Sequence, residues 1–323
     1  MPPPAATIDR FRASLARLAA DDDRLVIAVS GGADSMALLA LVHTAAPARI
    51  VAATVDHRLR PASADEAAMV AAHCAALGVR HAILAPDAPI AGASIQARAR
   101  EARYALLAGW AREQGAAAIL TAHHADDQAE TFLMRAARGS GVAGLSGIRA
   151  RATIAGFPAL RPLLGWRRRE LREIAIHAQA PFVDDPSNAD PRHDRTRIRA
   201  LLADAPSLDP LALAQSAAAL AEAEAALAYV ADRLWAERAS GDGAILADVA
   251  GLPRELRRRL ARRAISAARA RHALTAPAWS EATNIEPLLD SLEAGARATQ
   301  GGVMIAPRGD SWAIEKAPPR RSL

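Results

Sequence analysis

The sequence predicts an α/β fold, a parallel-sheet domain over residues 1–206 followed by a smaller, mainly helical domain over 207–323. Three observations predict it. Apolar, β-branched runs at 25–29, 50–55, 79–84 and 116–120 alternate with helical patterns of ordinary length, the signature of parallel strands joined by crossover helices. Each of these runs gives way to polar residues, and right-handed crossovers bring all four carboxyl ends to one sheet edge. Beyond residue 208 the strand pattern stops and alanine-rich helical segments take over.

The first run, 25–29, is apolar at every position, as a strand buried on both faces requires. It leads into Ser30-Gly31-Gly32-Ala33-Asp34-Ser35 at the start of a helical pattern. The glycines remove Cβ atoms where backbone amides must approach an anion, and the helix N-terminus adds its own favourable field. The segment therefore reads as a nucleotide phosphate site, against the plainer reading of a tight strand-to-helix turn. It lacks the Gly-Lys-Ser/Thr lysine that grips β- and γ-phosphates, so it suits cleavage between α- and β-phosphates with pyrophosphate left in the amide cradle.

The second run ends in Asp56-His57-Arg58. A helix over 94–114, with Ser94 as N-cap, carries Gln96, Arg100 and Arg103 on one face and Ile95, Ala99, Ala102, Leu106 and Trp110 on another, so one face packs and the other can meet phosphate. After the fourth run comes Thr121-Ala-His-His-Ala-Asp-Asp-Gln-Ala-Glu-Thr131. A helix starting near Ala125 sets Asp127 and Glu130 one turn apart on one face, a paired-carboxylate pocket for a cationic amine. The alternatives are a zinc site, disfavoured by an excess of carboxylate over imidazole and no thiol, and a solvated capping segment. A basic helix at 166–179 and a Pro/Asp/Asn-rich loop at 181–194 complete the first domain. In the second, helices are predicted at 211–238 and 252–274, and a hairpin at 303–305 and 312–314. Arg254, Arg257, Arg258, Arg259, Arg262 and Arg263 make the 252–274 helix either an RNA-backbone surface or a solvated face.

Composition narrows the class. The 323 residues suit about two domains. The lone Cys74 excludes a disulfide framework and Cys-based metal fingers. The N-terminal segment lacks a signal peptide's apolar stretch and nothing approaches a membrane span, so a cytoplasmic protein without membrane partners is expected. The net charge is +5 and Lys316 is the only lysine among 40 basic Lys and Arg residues.

In order along the chain, Ser30-Gly-Gly-Ala-Asp-Ser35, Val55-Asp-His-Arg-Leu-Arg60, His123-His-Ala-Asp-Asp-Gln-Ala-Glu-Thr131, Arg138-Gly-Ser-Gly141 and Asp185-Pro-Ser-Asn188 resemble the tRNA(Ile)-lysidine synthetases, members of the PP-loop (N-type ATP pyrophosphatase) superfamily. The resemblance spans roughly residues 24–199. It implies a PP-loop ATPase domain and two chemical steps: the 2-carbonyl oxygen of a wobble cytidine attacks the α-phosphate of ATP, and free L-lysine then displaces AMP. By motif, Ser30, Gly31, Gly32, Ala33, Asp34, Ser35, Asp56 and His57 would bind ATP, with Mg2+ on its phosphates and no metal held by the protein alone. Asp34, Asp127 and Glu130 would hold lysine. Arg103 and His123 join these three as catalytic candidates, His123 handling protons because a histidine pKa lies near the working range. Arg100, Arg138, Arg195 and Arg199 would contact the CAU-anticodon tRNA(Ile). A homodimer is compatible with the resemblance. The chain departs from the family at His193 and Thr196, where an aromatic residue and an Arg-Asn-Arg sequence are usual, and its length implies a single C-terminal domain. Rival readings are a sister ATP pyrophosphatase, either a base thiolase, which usually needs paired cysteines, or an amide-forming ligase, and a nucleotide or RNA binder without turnover.

Overall fold

The computed structural model describes residues 1–58, 62–90, 95–184, 194–280 and 282–318. Ser94, the 185–188 motif, His193 and the Gln96 side chain fall outside them. The elements run α1 (Ala5–Ala16), β1 (Leu25–Ala28), α2 (Ala33–Ala45), β2 (Ile50–Val55), α3 (Ala62–Ala76), β3 (His81–Leu84), α4 (Ile95–Glu113), β4 (Ala118–Leu120), α5 (Ala125–Ala136), α6 (Val142–Leu145), β5 (Arg151–Ile154), β6 (Phe157–Leu160), α7 (Arg168–His177) and α8 (Asp194–Asp204). They continue with α9 (Pro210–Arg238), β7 (Ala239–Ser240), β8 (Ile245–Leu246), α10 (Arg254–Arg271), α11 (Glu286–Glu293), β9 (Ala298–Gln300), β10 (Val303–Arg308) and β11 (Ser311–Lys316). Two compact units divide within α9, Met1–Ala221 and Glu222–Leu323.

The first unit is built on a six-stranded sheet of order β3-β2-β1-β4-β6-β5. β1 pairs in parallel with both β2 and β4, Leu25 opposite Ile50 and Ala118, so the chain's winding reverses at β1. Ligands of doubly wound sheets bind outside the carboxyl ends of the strands at that reversal. Leu25, Val26 and Ile27 are fully buried. Leu25 and Ile27 face a core that includes Phe11, Leu38, Leu120 and Trp166; Val26 faces another with Tyr104, Leu107 and Ala111 of α4. Alternation along one strand thus supplies both faces of the sheet.

Two points differ from expectation. Strands β5 and β6 form an antiparallel hairpin around Ala155 and Gly156, with β6 extending the parallel array beside β4; at four residues each they are too short for an alternation signal. On α4 the buried face carries Ala99, Tyr104, Leu107, Ala108 and Ala111, while Ile95 is exposed. The packing stripe is therefore rotated toward Tyr104 and Leu107, because the small alanines on this helix leave its apolar face ill-defined in sequence.

The second unit packs α10 and α11 on a five-stranded antiparallel sheet, β7-β8-β11-β10-β9. Its core includes Leu260, Ile265, Leu289, Val303 and Ile314. The predicted hairpin is present, with Ile305 opposite Ile314; β7, β8 and β9, two or three residues long, extend the helical expectation to a mixed architecture. The expectation that nothing approaches a membrane span is corrected at α9, which reaches a mean hydropathy of 1.2 over 18 residues with 11% of that window buried. Its apolar character comes largely from alanine.

Candidate active site

The phosphate-type turn takes the form its glycines require. Gly31 adopts φ +83°, and a Cβ there would lie 3.5 Å from Met69 and Val70 side-chain atoms of α3. Gly32 is the extended N-cap of α2 and supplies no side chain to the cap. Ser35 ties the turn internally. Its Oγ accepts from the Ser30 amide at 3.1 Å and the Ser30 hydroxyl at 3.2 Å, and donates to the Gly32 carbonyl at 2.9 Å. The first amides of α2 have no side-chain cap, as an anion cradle needs.

Asp34, in the first turn of α2, and Asp127, in the first turn of α5, meet at one imidazole. His124 Nε2 lies 3.4 Å from Asp34 Oδ2 and 3.5 Å from Asp127 Oδ2. His124 is the N-cap of α5: its Nδ1 accepts the Asp127 amide at 3.4 Å, and Asp127 Oδ2 accepts the His124 amide at 3.1 Å, a reciprocal cap. The ring is 1% exposed. Burial alone would lower its pKa, but the hydrogen bond and charge of Asp34, together with the charge of Asp127, raise it instead. Burial works to raise the Asp127 pKa and is outweighed by His124, His123, the backbone bond and Arg168, which lower it. Asp34 Oδ1 is buried and has no partner.

Glu130 also stands at the α5 surface facing the site, 1% exposed, but it is flanked by cations. Arg199 Nε lies at 2.9 Å, Arg168 at 3.4 Å and Arg195 at 3.9 Å, while Glu130 Oε2 has no hydrogen-bond partner. The expected open carboxylate pair is thus corrected: Asp127 pairs with Asp34 through His124, and Glu130 faces the arginines of α7 and α8. A spacing of three residues places two carboxylates on one face but says nothing about what α8 brings to them. Arg138 pairs with Asp194 at 2.6 Å on the surface.

A cationic group occupies the other side of the edge. Arg100 and Arg103 lie 4.9 and 5.1 Å from the Tyr104 ring. Arg161, one residue past β6, is 6% exposed. His123 Nδ1 and Thr121 Oγ1 lie 2.9 Å apart. Burial, together with the charges of Arg161, Arg100 and Arg195, pulls the His123 pKa down to about 4, against the opposing pull of Asp127. The expectation of a histidine titrating near the working range is therefore corrected: His123 is neutral at physiological pH. His57 is lowered likewise, by burial and then by Arg103. Asp56 accepts from the Ser63 hydroxyl at 2.6 Å and the Arg58 amide at 2.9 Å; these bonds, the first the larger, lower its pKa.

Sequence reasoning left His124, Arg161 and Arg168 out of the candidate set. For His124 a signal existed, since an N-cap residue followed three positions later by Asp is a capping pattern. Arg161 and Arg168 lie in segments whose proximity to the edge depends on β6 pairing with β4. Among the described residues no group of three or more His, Cys, Asp or Glu is placed to hold a metal ion.

The comparisons follow this geometry. Residues 6–205 match the family model of the PP-loop domain. A tRNA(Ile)-lysidine synthase of Novosphingobium aromaticivorans is 44% identical over 317 residues, 97% of this chain and 94% of that one. Another, of Zymomonas mobilis subsp. mobilis, is 42% identical over 303 residues, 92% and 90% of the two chains. The U34-tRNA thiolase NcsA of Methanococcus maripaludis, solved with its 4Fe–4S cluster, superposes with a TM-score of 0.53 at 16% identity over 66% of this chain and 75% of that one, a likeness of fold alone. A glycine turn at the winding reversal, an acidic pair meeting beside it and this near-full-length similarity converge: the chain belongs to the tRNA(Ile)-lysidine synthase family of PP-loop proteins.

Proposed function

We propose that the chain is a tRNA(Ile)-lysidine synthase, an ATP-dependent ligase that joins free L-lysine to the wobble cytidine of the CAU-anticodon tRNA(Ile), so that the tRNA reads AUA codons. The observation that carries the reading is the convergence of Asp34, from the phosphate turn, and Asp127, from the second cluster, within 3.5 Å of one imidazole nitrogen. An amine-binding acidic pair thereby adjoins the phosphate cradle, as a ligase that first adenylates and then aminates must arrange.

In the first step the cytidine 2-carbonyl oxygen bonds to the α-phosphorus of ATP and pyrophosphate leaves. The amides at Gly31, Gly32 and Ala33, with Ser30 and Ser35, hold the departing phosphates, and Arg100 and Arg103 offset charge growing on the transferring group. Asp56 and His57 border the nucleotide. The unpartnered Asp34 Oδ1 fits a cation carried on the phosphates, and Mg2+ there would neutralise the pyrophosphate. In the second step the lysine amine, as the free base, bonds to C2, AMP leaves with the C–O bonding pair, and the proton shed by the amine nitrogen passes to solvent. Asp34 and Asp127 hold the lysine, while Glu130, engaged by Arg168, Arg195 and Arg199, fixes those arginines beside them; His123, neutral, orients a reactant by hydrogen bonding rather than storing a proton. Arg138, Arg195 and Arg199 contact the RNA backbone. The enzyme acts in the cytoplasm, and a homodimer is compatible with the reading.

The test is ATP-dependent incorporation of radiolabelled lysine into unmodified CAU-anticodon tRNA(Ile), with a wobble-base variant as control. Labelling that needs both ATP and the cytidine supports the reading. Pyrophosphate release on another acceptor without lysine incorporation moves the chain to a sister activity, and ATP binding without turnover moves it to a sensor.

A further inference from the structure

A cavity of about 340 Å3 opens between α1 and the segment that follows β6. Ser14, Arg17 and Arg161 line it together with the apolar Leu18 and Trp166, and no carboxylate lines it. Arg10 also borders it but is committed elsewhere: its guanidinium stacks 3.9 Å over Trp166 and donates to Glu170 at 2.8 Å and to the Gly165 carbonyl at 2.7 Å.

The other two arginines are uncompensated. Arg161 donates from Nη1 to the Arg149 carbonyl at 2.6 Å, yet its Nε is buried with no partner, and among the described residues no carboxylate pairs with it. Burial and the nearby charge of Arg100 both disfavour its charged form. Arg17 is exposed, and among the described residues its guanidinium contacts Ser14 Oγ, at 3.4 Å, and no carboxylate. A buried guanidinium without a counter-charge is unfavourable, and an anion supplied from outside relieves it.

We infer that this cavity is an anion subsite holding a phosphodiester of the RNA substrate beside the reacting nucleotide, with Arg161 as its floor and Arg17 and Ser14 as its rim. The inference rests on the RNA-ligase reading above. The nucleotide already has its phosphate cradle at the α2 N-terminus, so a second basic site serves a second polyanion. The rim lies at the surface, where α1 ends, within reach of a polymer passing over it, and the half-buried Leu18 offers an apolar contact to the sugar.

The experiment uses the full chain with Arg17→Ala and Arg161→Met. It measures ATP affinity without RNA, tRNA(Ile) affinity over a series of salt concentrations, and lysine incorporation. Each variant is expected to weaken tRNA binding several-fold and to flatten the dependence of log K on log salt by about 1, and with Arg17→Ala ATP affinity stays unchanged. Arg17→Ala removes only an exposed side chain, so it carries the test if Arg161→Met does not fold. Lost ATP affinity with an unaltered salt slope overturns the inference in favour of a nucleotide phosphate, and no change in either overturns it outright. If the wild type neither binds nor modifies the tRNA, the ligase reading itself falls; an active wild type with an unaltered Arg17→Ala slope removes the subsite alone.

Discussion

At the scale of single residues, His124 organises the acidic side and His123 the basic side. The two adjacent histidines diverge because one is enclosed by carboxylates and the other by guanidinium groups. His123 is a group whose folded pKa lies below its unfolded one, so its contribution to stability is full above about pH 6.5 and declines as pH falls toward about 4. Its ring-proton NMR signal is expected to titrate near pH 4; a midpoint near 6.5 would contradict its burial and its enclosure by Arg161, Arg100 and Arg195. Asp127→Asn keeps an oxygen to cap α5 but removes the charge. We expect the KM for lysine to rise by roughly 10- to 100-fold, the range of a hydrogen bond to a charged group, with ATP affinity within about twofold. Unchanged lysine dependence in steady-state kinetics would remove Asp127 from the amine site. The motif residues themselves were legible in sequence because each chemistry needs particular side chains at fixed spacing. Their ionisation was not, because the cations around His123 arrive from three distant segments, at Arg100, Arg161 and Arg195.

At the scale of elements, α10 shows how charge is resolved by its neighbours. Five of its arginines face carboxylates of the same unit: Arg254 and Arg258 meet Glu286, Arg257 meets Glu293, Arg259 meets Glu224 and Glu255, and Arg263 meets Asp232, whereas Arg262, Arg269 and Arg271 donate to backbone carbonyls. Five of the arginines that carried the RNA-surface and solvated-face readings of this helix are thus joined in an ion-pair network within the unit. Glu286, hydrogen-bonded first by Arg258 and then by Arg254, has its pKa pulled down to about 2. As a carboxyl with a depressed folded pKa, it adds stability above about pH 4.5 that is lost as pH falls toward 2. Because its side chain is 42% exposed, solvent screening holds the gain to about 1 kcal/mol. Glu286→Gln should lower the thermal midpoint of the second unit at pH 7 and narrow its difference from wild type below pH 3. A gap that stays constant with pH would disprove the ion-pair origin. The helix was legible from its periodicity, but its partners on α9 and α11 lie 28 or more residues from the arginines they meet, beyond any local pattern.

At the scale of the whole molecule, the two sheets and the cores packed on them make two compact units, one containing every nucleotide-site candidate and the other none. Saturating ATP, at about 100 times its Kd, should stabilise the first unit by about 2.7 kcal/mol. Calorimetry is expected to show two transitions of which ATP moves one; a single transition moving as a whole would show instead that the units unfold together. The parallel strands and their common edge were legible because long apolar runs between helices admit few arrangements. The β5–β6 hairpin and strands β7 to β9 were not, since segments of two to four residues carry almost no periodicity of their own.

The internal pairing of α10 bears on how such a basic protein lives among nucleic acids. With a pI near 10.4, it would attract any polyanion if its arginines stood open. Five arginines of α10 are instead matched to carboxylates within the second unit, whereas Arg100, Arg103 and Arg161 border the reaction edge with no carboxylate partner among the described residues. We expect this pairing to weaken the pull of α10 on ribosomal or messenger RNA, and Arg100, Arg103 and Arg161 to keep theirs. Search for the right tRNA then depends on a localised field rather than on overall charge.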